Sequence, residues 1–130
     1  MCPVYRDPAA TREKIDNMLS EYTSSDIVIL PEMALPGYWF DDVQDITPFL
    51  EKPNAEYPTF CWLRDMAQRL GAYVFCGYPE IAEDGCYNSM QAINPQGELV
   101  ANYRKHFLYF VDKTWWKEGP SFEAIDIVIR

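Results

Sequence analysis

The chain has 130 residues, enough for one domain, and its 48% hydrophobic and 15% aromatic content indicates a folded rather than a disordered sequence. A formal net charge of −9 argues against a nucleic-acid or anionic-membrane partner, since both require a basic surface. No apolar run approaches the roughly 20 residues of a membrane span, and the first residues lack the layout of a signal peptide. We therefore expect a cytoplasmic or nuclear protein.

The cysteine and histidine content argues against the common metal sites. The four cysteines, at positions 2, 61, 76 and 86, show no C-x-x-C spacing, and the single histidine, His106, has no second ligand close to it in sequence. The sequence also lacks a glycine-rich phosphate loop and any Ser-His-Asp arrangement. We therefore expect no metal and no cofactor, and free thiols in a reducing compartment.

The first predicted helix begins at Asp7 and Pro8, because aspartate favours the N-cap and proline the first helical position. Apolar residues then recur at helical spacing up to the serines at positions 24 and 25: Ile15, Met18, Leu19 and Tyr22. A continuous apolar run from Ile27 to Leu30 follows, and it predicts a strand buried on both faces.

Glu32 is the first candidate functional residue. Pro31 cannot donate to a strand ladder, so pairing should end there and leave the Glu32 carboxylate at the C-terminal tip of the strand. Ligands usually bind at this edge of an open α/β sheet. The alternative interpretation is a strand followed by a solvated acid in a loop.

The central part of the chain predicts a loop and a second helix. Residues 40–57 are acidic and interrupted by prolines, which favours a loop with one short helical turn from Val43 to Leu50. A helix is then predicted from Pro58 to Leu70, with Gly71 as the residue that ends it.

Strands dominate the remaining chain. A second buried strand is predicted at Ala72–Cys76, followed by a hairpin of Tyr87–Ile93 and Glu98–Lys105 around a turn at residues 94–97. Residues 125–129 predict a last strand. This order of helices and strands indicates an α/β fold with a mixed sheet.

The hairpin ends on two basic residues, Arg104 and Lys105, which strand alternation places on opposite faces of the sheet. The one that faces inward requires a carboxylate partner, because burial of a lone charge is unfavourable. We predict that Lys105 meets Glu32 at the tips of neighbouring strands. The alternative is an edge strand with two solvated basic residues, which edge strands often carry.

Two of these segments match motifs of a known family. Leu30-Pro31-Glu32 to Gly37-Tyr38 resembles the glutamate motif of the nitrilase (carbon–nitrogen hydrolase) superfamily, and residues 103–108 resemble its lysine motif. Residues 77–80, 87–89 and 94–97 are similar to the strands between these motifs. The resemblance spans about residues 8–122 and is closest to the fungal-type protein N-terminal amidases.

The resemblance implies a nitrilase-like α-β-β-α sandwich, of which residues 1–130 would be a partial domain without the first strand and the C-terminal half. In the family's Glu-Lys-Cys triad, Glu32 would be the general base and Lys105 would stabilise the oxyanion. None of the four cysteines holds the family's position beyond the lysine, so we expect the nucleophile to be missing. Asp112 stands where the family has a further glutamate, and we expect Tyr38 and Asp112 to line the substrate pocket.

The activity that the resemblance implies is hydrolysis of the side-chain amide of an N-terminal asparagine or glutamine, with protein or peptide N-termini as substrate. This deamidation would mark the protein for degradation. We expect Asp41, Asp42 or Asp112 to attract the α-ammonium of the substrate. The alternatives are another carbon–nitrogen hydrolase, such as an ω-amidase or carbamoyl hydrolase, and a non-catalytic remnant that binds a partner.

Three expectations concern the 130 residues themselves. Without a nucleophile they should be catalytically inactive. The exposed sheet edge favours association, including a homo-oligomer. The aromatic-rich segment favours a pocket wall or a subunit interface, and its aromatic residues are Phe107, Tyr109, Phe110, Trp115 and Trp116.

Overall fold

The computed structural model describes residues 2–121 and 124–128, which contain three α-helices and four strands. The helices are α1 (Pro8–Met18), α2 (Val43–Ile46) and α3 (Pro58–Leu70). The strands are β1 (Ile27–Ile29), β2 (Tyr73–Ala82), β3 (Gly85–Ile93) and β4 (Leu99–Arg104). Two 3₁₀ turns, Thr47–Phe49 and Asp112–Thr114, complete the described elements.

The strands form one mixed sheet in the order β1-β2-β3-β4. β1 is parallel to β2, whereas β2 with β3 and β3 with β4 are antiparallel. β1, β2 and β4 therefore run in one direction, and their carboxyl ends lie at the same edge. The predicted α/β fold with a mixed sheet is confirmed, but β1 and β4 are not neighbours, because two strands separate them.

The helix signals in the sequence place the start of α1 and both ends of α3 correctly. Asp7 caps α1 by accepting a hydrogen bond from the Ala10 backbone N–H at 2.9 Å. α3 ends at Gly71, whose φ of +64° is the left-handed conformation that glycine adopts readily. The apolar stripe predicted for α1 extends too far along the sequence. The helix ends at Met18, so Tyr22 lies beyond it and is 59% exposed.

The main core lies between the helices and one face of the sheet. Its buried members come from α1, α3 and alternate sheet positions, and include Ile15, Leu63, Leu70, Val74, Cys76 and Ile93. On the other face Ile29 is 72% exposed, and Phe75, Met90 and Tyr103 are half-buried. The prediction of strands buried on both faces is therefore wrong, because the described helices cover only one face.

The second strand continues well past its predicted end at Cys76. β2 runs through Pro79 to Ala82, and β3 begins at Gly85 rather than Tyr87. The Pro79 carbonyl accepts from Glu51 N at 3.0 Å on the side where β1 has already ended, so the missing N–H of the proline interrupts no ladder bond.

Of the other predicted elements, the short helical segment and the hairpin turn are confirmed and the last strand is not. α2 and the turn Thr47–Phe49 confirm the short helical segment, and Gly97 N donates to the Asn94 carbonyl in the predicted hairpin turn at 2.9 Å. Residues 125–128 are not in a strand, so the predicted last strand is wrong there, and its end at Ile129 lies outside the described residues. Within the described ranges, every helix is too short or too polar to cross a lipid bilayer.

Gln91 leads to a stability prediction. Its side chain is 0% exposed on the helix-covered face, and neither Nε2 nor Oε1 has a hydrogen-bond partner among the described residues. An unpaired buried amide costs about 1–3 kcal/mol. We expect Gln91→Met, similar in shape, to raise the free energy of unfolding in urea by about 1 kcal/mol. Gln68→Met is the matched control, because Gln68 Nε2 donates to the Gln96 carbonyl at 2.9 Å, and a loss of stability in Gln91→Met contradicts the prediction.

Candidate active site

Glu32 reaches the site through a turn that leaves β1 and passes against β2. Leu30 N donates to the Phe75 carbonyl at 2.8 Å, and four residues later Ala34 N donates to the Gly77 carbonyl at 3.0 Å. A Cβ on Gly77 would lie 2.6 Å from Glu32 Cα and 2.7 Å from the Pro31 carbonyl oxygen. Only glycine at position 77 therefore admits this turn at its observed distance.

The residue after Glu32 holds an unusual backbone conformation. Met33 has a φ of +47°, a left-handed conformation that costs a non-glycine residue about 1–2 kcal/mol. Its side chain is buried in a second apolar cluster with Phe40, Ile46 and Trp116. Burial of the Met33 side chain thus holds the turn against this apolar cluster, while the Glu32 side chain remains 44% exposed.

The predicted contact between Glu32 and Lys105 is present. Lys105 Nζ donates to Glu32 Oε1 at 2.9 Å, and Asn88 Nδ2 donates to the same oxygen. Lys105 follows the last residue of β4, and its backbone N donates to the Asn88 carbonyl at 2.8 Å. The strands of Glu32 and Lys105 are not adjacent, so the turn at residues 31–33 is what brings the two groups together.

Asp112 is the second carboxylate that contacts Lys105. Its fully buried side chain accepts from Lys105 Nζ at 2.8 Å, from Tyr109 N at 3.1 Å and from the Tyr38 hydroxyl. Burial raises the pKa of Asp112, but the hydrogen bonds from Lys105 and Tyr38 outweigh burial and hold the pKa below its usual value.

The pKa values of the two side chains that bind Asp112 shift in the opposite direction. Burial lowers the pKa of Lys105, but the hydrogen bonds to Asp112 and Glu32 dominate and raise it. Burial and the Asp112 carboxylate raise the pKa of Tyr38 well above its usual value. At neutral pH the site therefore holds a carboxylate, an ammonium and a neutral phenol.

A cavity of about 250 Å³ opens beside Glu32 and Lys105. Its lining is mostly apolar and consists of Leu30, Glu32, Gly77, Asn88, Ser89, Met90, Tyr103 and Lys105. Neither Tyr38 nor Asp112 belongs to this lining. Asp41 and Asp42 also lie elsewhere, since Asp41 is paired with Arg6 at 3.7 Å and Asp42 caps α2.

The cysteines of the chain do not line the cavity either. Cys76 is fully buried on the helix-covered face, and burial raises the pKa of its thiol. Burial also raises the pKa of Cys86, which disfavours its thiolate. In residues 2–121 and 124–128, no group of three or more His, Cys, Asp or Glu side chains has the geometry to hold a metal ion.

The opposite face carries an ion pair that the sequence interpretation missed. Arg104 Nη2 donates to the buried Glu80 at 2.6 Å, and Ser89 Oγ and Asn102 Nδ2 donate to the same carboxylate at 2.6 Å and 3.0 Å. Arg104 and Lys105 do face opposite sides, but each has its own carboxylate. The alternative of two solvated basic residues is therefore wrong.

Gly77, Glu80 and Asn88 lie in segments that resemble family strands, but no role was predicted for any of the three. Gly77 interrupts an apolar strand, and glycine inside a strand often marks close approach by another backbone. Asn88 and Glu80 are polar residues within strands, which signals a partner on the same face of the sheet.

Comparison with known proteins agrees with this fold. The model of the Carbon-nitrogen hydrolase family matches residues 1–129, so the chain belongs to that family. It is 41% identical over 102 residues to the protein N-terminal amidase of Saccharomyces cerevisiae, which covers 77% of this chain and 22% of that protein. Identity to the Schizosaccharomyces pombe protein N-terminal amidase is 33% over 116 residues, covering 85% and 41% of the two chains.

Solved structures show the same likeness. A crystal structure of an N-terminal amidase superposes with a TM-score of 0.83 at 33% identity, covering 91% of this chain and 29% of that one. A CN-hydrolase superfamily protein from Xanthomonas campestris also gives 0.83, at 26% identity and with 96% and 46% covered. The described residues thus have a nitrilase-like α/β fold, and the chain spans less than half the length of these relatives.

The requirement for glycine at position 77, beside the Glu32 turn, can be tested. In Gly77→Ala the new methyl group displaces the Glu32 turn, which we expect to lower the free energy of unfolding by about 1–3 kcal/mol and to shift the amide NMR signals of Glu32 and Ala34. Gly71→Ala is the control: its Cβ meets nothing within 4 Å, so it costs only the strain of its positive φ. Unshifted Glu32 and Ala34 signals in Gly77→Ala contradict the requirement.

Asp112 gives a pH-dependent prediction. Its pKa is lowered by folding, so its stabilising contribution is fully present above the unfolded value near 4 and is lost as the pH falls through the folded pKa. We expect Asp112→Asn to cost about 3 kcal/mol at pH 7 and progressively less below about pH 4, measured by urea unfolding.

The exposed pair of Arg64 and Asp65, at 3.1 Å, supplies the control for this measurement. Asp65→Asn should change stability by less than about 1 kcal/mol at any pH, because surface ion pairs contribute little. Equal effects of the two substitutions would show that Asp112 has no special role.

Proposed function

We propose that this chain supplies the general base and the oxyanion-stabilising cation of an amidase that deamidates N-terminal asparagine or glutamine in proteins and peptides. The contact of Glu32 with Lys105 beside a small, mostly apolar cavity carries the proposal. The similar N-terminal amidases support the substrate class: one has been crystallised with Asn-Glu and Gln-Val peptides, at a TM-score of 0.82 and 33% identity. The cytoplasm or nucleus and a place in protein degradation belong to the same proposal.

The chemistry requires a cysteine thiol, which we place outside these 130 residues because the cavity is lined by none of the four cysteines. Glu32 takes the thiol proton, and the thiolate attacks the carbonyl carbon of the amide. The tetrahedral intermediate collapses as Glu32 returns the proton to the amide nitrogen, so that the C–N bond breaks and ammonia leaves. Glu32 then takes a proton from the water that attacks the thioester and returns it to the departing thiolate, so that the carboxylic acid product and the thiol are released.

Lys105 is suited to stabilise the oxyanion formed in both steps. Its ammonium has three N–H donors, of which two are held by Glu32 and Asp112. The third has no partner among the described residues, and we expect it to donate to the oxygen of the substrate carbonyl. A single donor of this kind contributes on the order of 3 kcal/mol to lowering the barrier.

Tyr38 and Asp112 support this arrangement through Lys105. Asp112 holds the ammonium in place, and the Tyr38 hydroxyl donates to Asp112, so we propose a positioning role for both. Their direct contact with substrate stays a prediction, as does attraction of the substrate's α-ammonium by Asp41, Asp42 or Asp112.

A chimaera tests the proposed function. Residues 1–130 replace the matching segment of the Schizosaccharomyces pombe relative, and ammonia release is measured from peptides that begin with Asn or Gln. We expect activity in the chimaera and none from the 130 residues alone. Glu32→Gln should lower kcat by about 10²–10⁴-fold and Lys105→Met by about 10²–10³-fold, because each removes a group that acts on the reacting atoms.

Glu83→Gln, at an exposed site outside the cavity lining, is the control and should leave kcat unchanged. A chimaera that is active after Glu32→Gln, or that hydrolyses only ω-amides or carbamoyl groups, contradicts the proposed function. Ammonia release by the 130 residues alone contradicts the placement of the nucleophile.

A further inference from the structure

The two oxygens of the Glu32 carboxylate are not equivalent. Oε1 accepts two hydrogen bonds, from Lys105 Nζ at 2.9 Å and from Asn88 Nδ2. Oε2 accepts none within the part of the chain that the structure describes. Since Glu32 lines the cavity and its side chain is 44% exposed, Oε2 is the oxygen left for a reacting group.

Asn88 is held rigidly enough to impose this asymmetry. It lies within β3, opposite Pro79 of β2, and is buried. A side chain on a central strand holds its geometry better than one on a loop. The flanking strands thus fix the direction in which its Nδ2 donates.

The same residue also fixes the second charged group. The Asn88 carbonyl accepts from the Lys105 backbone N at 2.8 Å, just beyond the end of β4. Asn88 therefore contacts Glu32 with its side chain and Lys105 with its backbone. Since its amide is neutral and does not titrate, it orients the carboxylate without changing the charge of the site.

We propose that Asn88 is a positioning residue of this active site, which clamps Glu32 Oε1 so that Oε2 alone takes and returns the proton. The inference rests on the proposed function for the identity of the reaction, but the clamp itself is a property of these residues. Lys105 by itself does not suffice, because its flexible side chain is shared with Asp112 and fixes only one direction of approach.

The clamp is tested on the chain itself, without any activity. In Asn88→Leu, Glu32 Oε1 loses one of its two hydrogen-bond donors, while Lys105, Asp112 and Tyr38 remain. We expect the Glu32 carboxyl ¹³C NMR signal, recorded at pH 7, to shift because this donor is lost. Asn88→Ala gives the same test with a smaller side chain, and the amide NMR spectrum reports that each variant is folded.

Asn102→Leu is a matched control on the opposite face. Asn102 Nδ2 donates to Glu80 Oε2 at 3.0 Å, so its loss should move the Glu80 signal and leave the Glu32 signal in place. An unchanged Glu32 carboxyl signal in folded Asn88→Leu or Asn88→Ala overturns the inference, as does an equal shift of that signal in Asn102→Leu.

Kinetics of the chimaera separate this inference from the proposed function. If Asn88 orients the base, Asn88→Leu lowers kcat by about 10–100-fold with little change in KM. Activity of Asn88→Leu equal to that of the active parent overturns the positioning role alone. An inactive parent chimaera contradicts the proposed function, while the Glu32 carboxyl NMR signal still decides whether Asn88 holds Oε1.

Discussion

The ammonium of Lys105 is the group on which the arrangement of this site depends. It contacts Glu32 from the turn after β1 and the buried Asp112 from the 3₁₀ turn beyond β4. These carboxylates are 80 residues apart in sequence, but both contact the same ammonium. Their like charges would repel each other without the cation between them. A fully buried carboxylate requires such a partner, so the ion pairs organise the edge of the sheet as well as the chemistry.

The sheet separates two networks of opposite charges. On the helix-covered face Arg104 binds Glu80, and on the other face the next residue, Lys105, binds Glu32. Because the side chains of a strand alternate, anchoring Arg104 on one side directs Lys105 to the other. The pair of Arg104 and Glu80 thus contributes to the orientation of Lys105. The pair does not contact the cavity that Lys105 and Glu32 line.

Family membership and the local geometry support different parts of the function. The match over residues 1–129 establishes a carbon–nitrogen hydrolase chain, and the two yeast relatives are protein N-terminal amidases. The geometry of Glu32, Lys105 and Asn88 explains how one carboxylate oxygen is kept available. Since this chain spans 22% and 41% of those two relatives, substrate and nucleophile belong to the proposal rather than to the family assignment.

The sequence by itself determined the helix starts at Asp7 and Pro58, the mixed sheet and the candidate pair of Glu32 and Lys105, because capping, periodicity and charge burial act locally or follow simple rules. It did not determine which face of β1 is covered, how far β2 extends past Pro79, or that Gly77 and Asn88 shape the site. Those features depend on which backbone lies against which strand. Only the packing of the turn at residues 31–33 over Gly77 decided that groups on non-adjacent strands share one cavity.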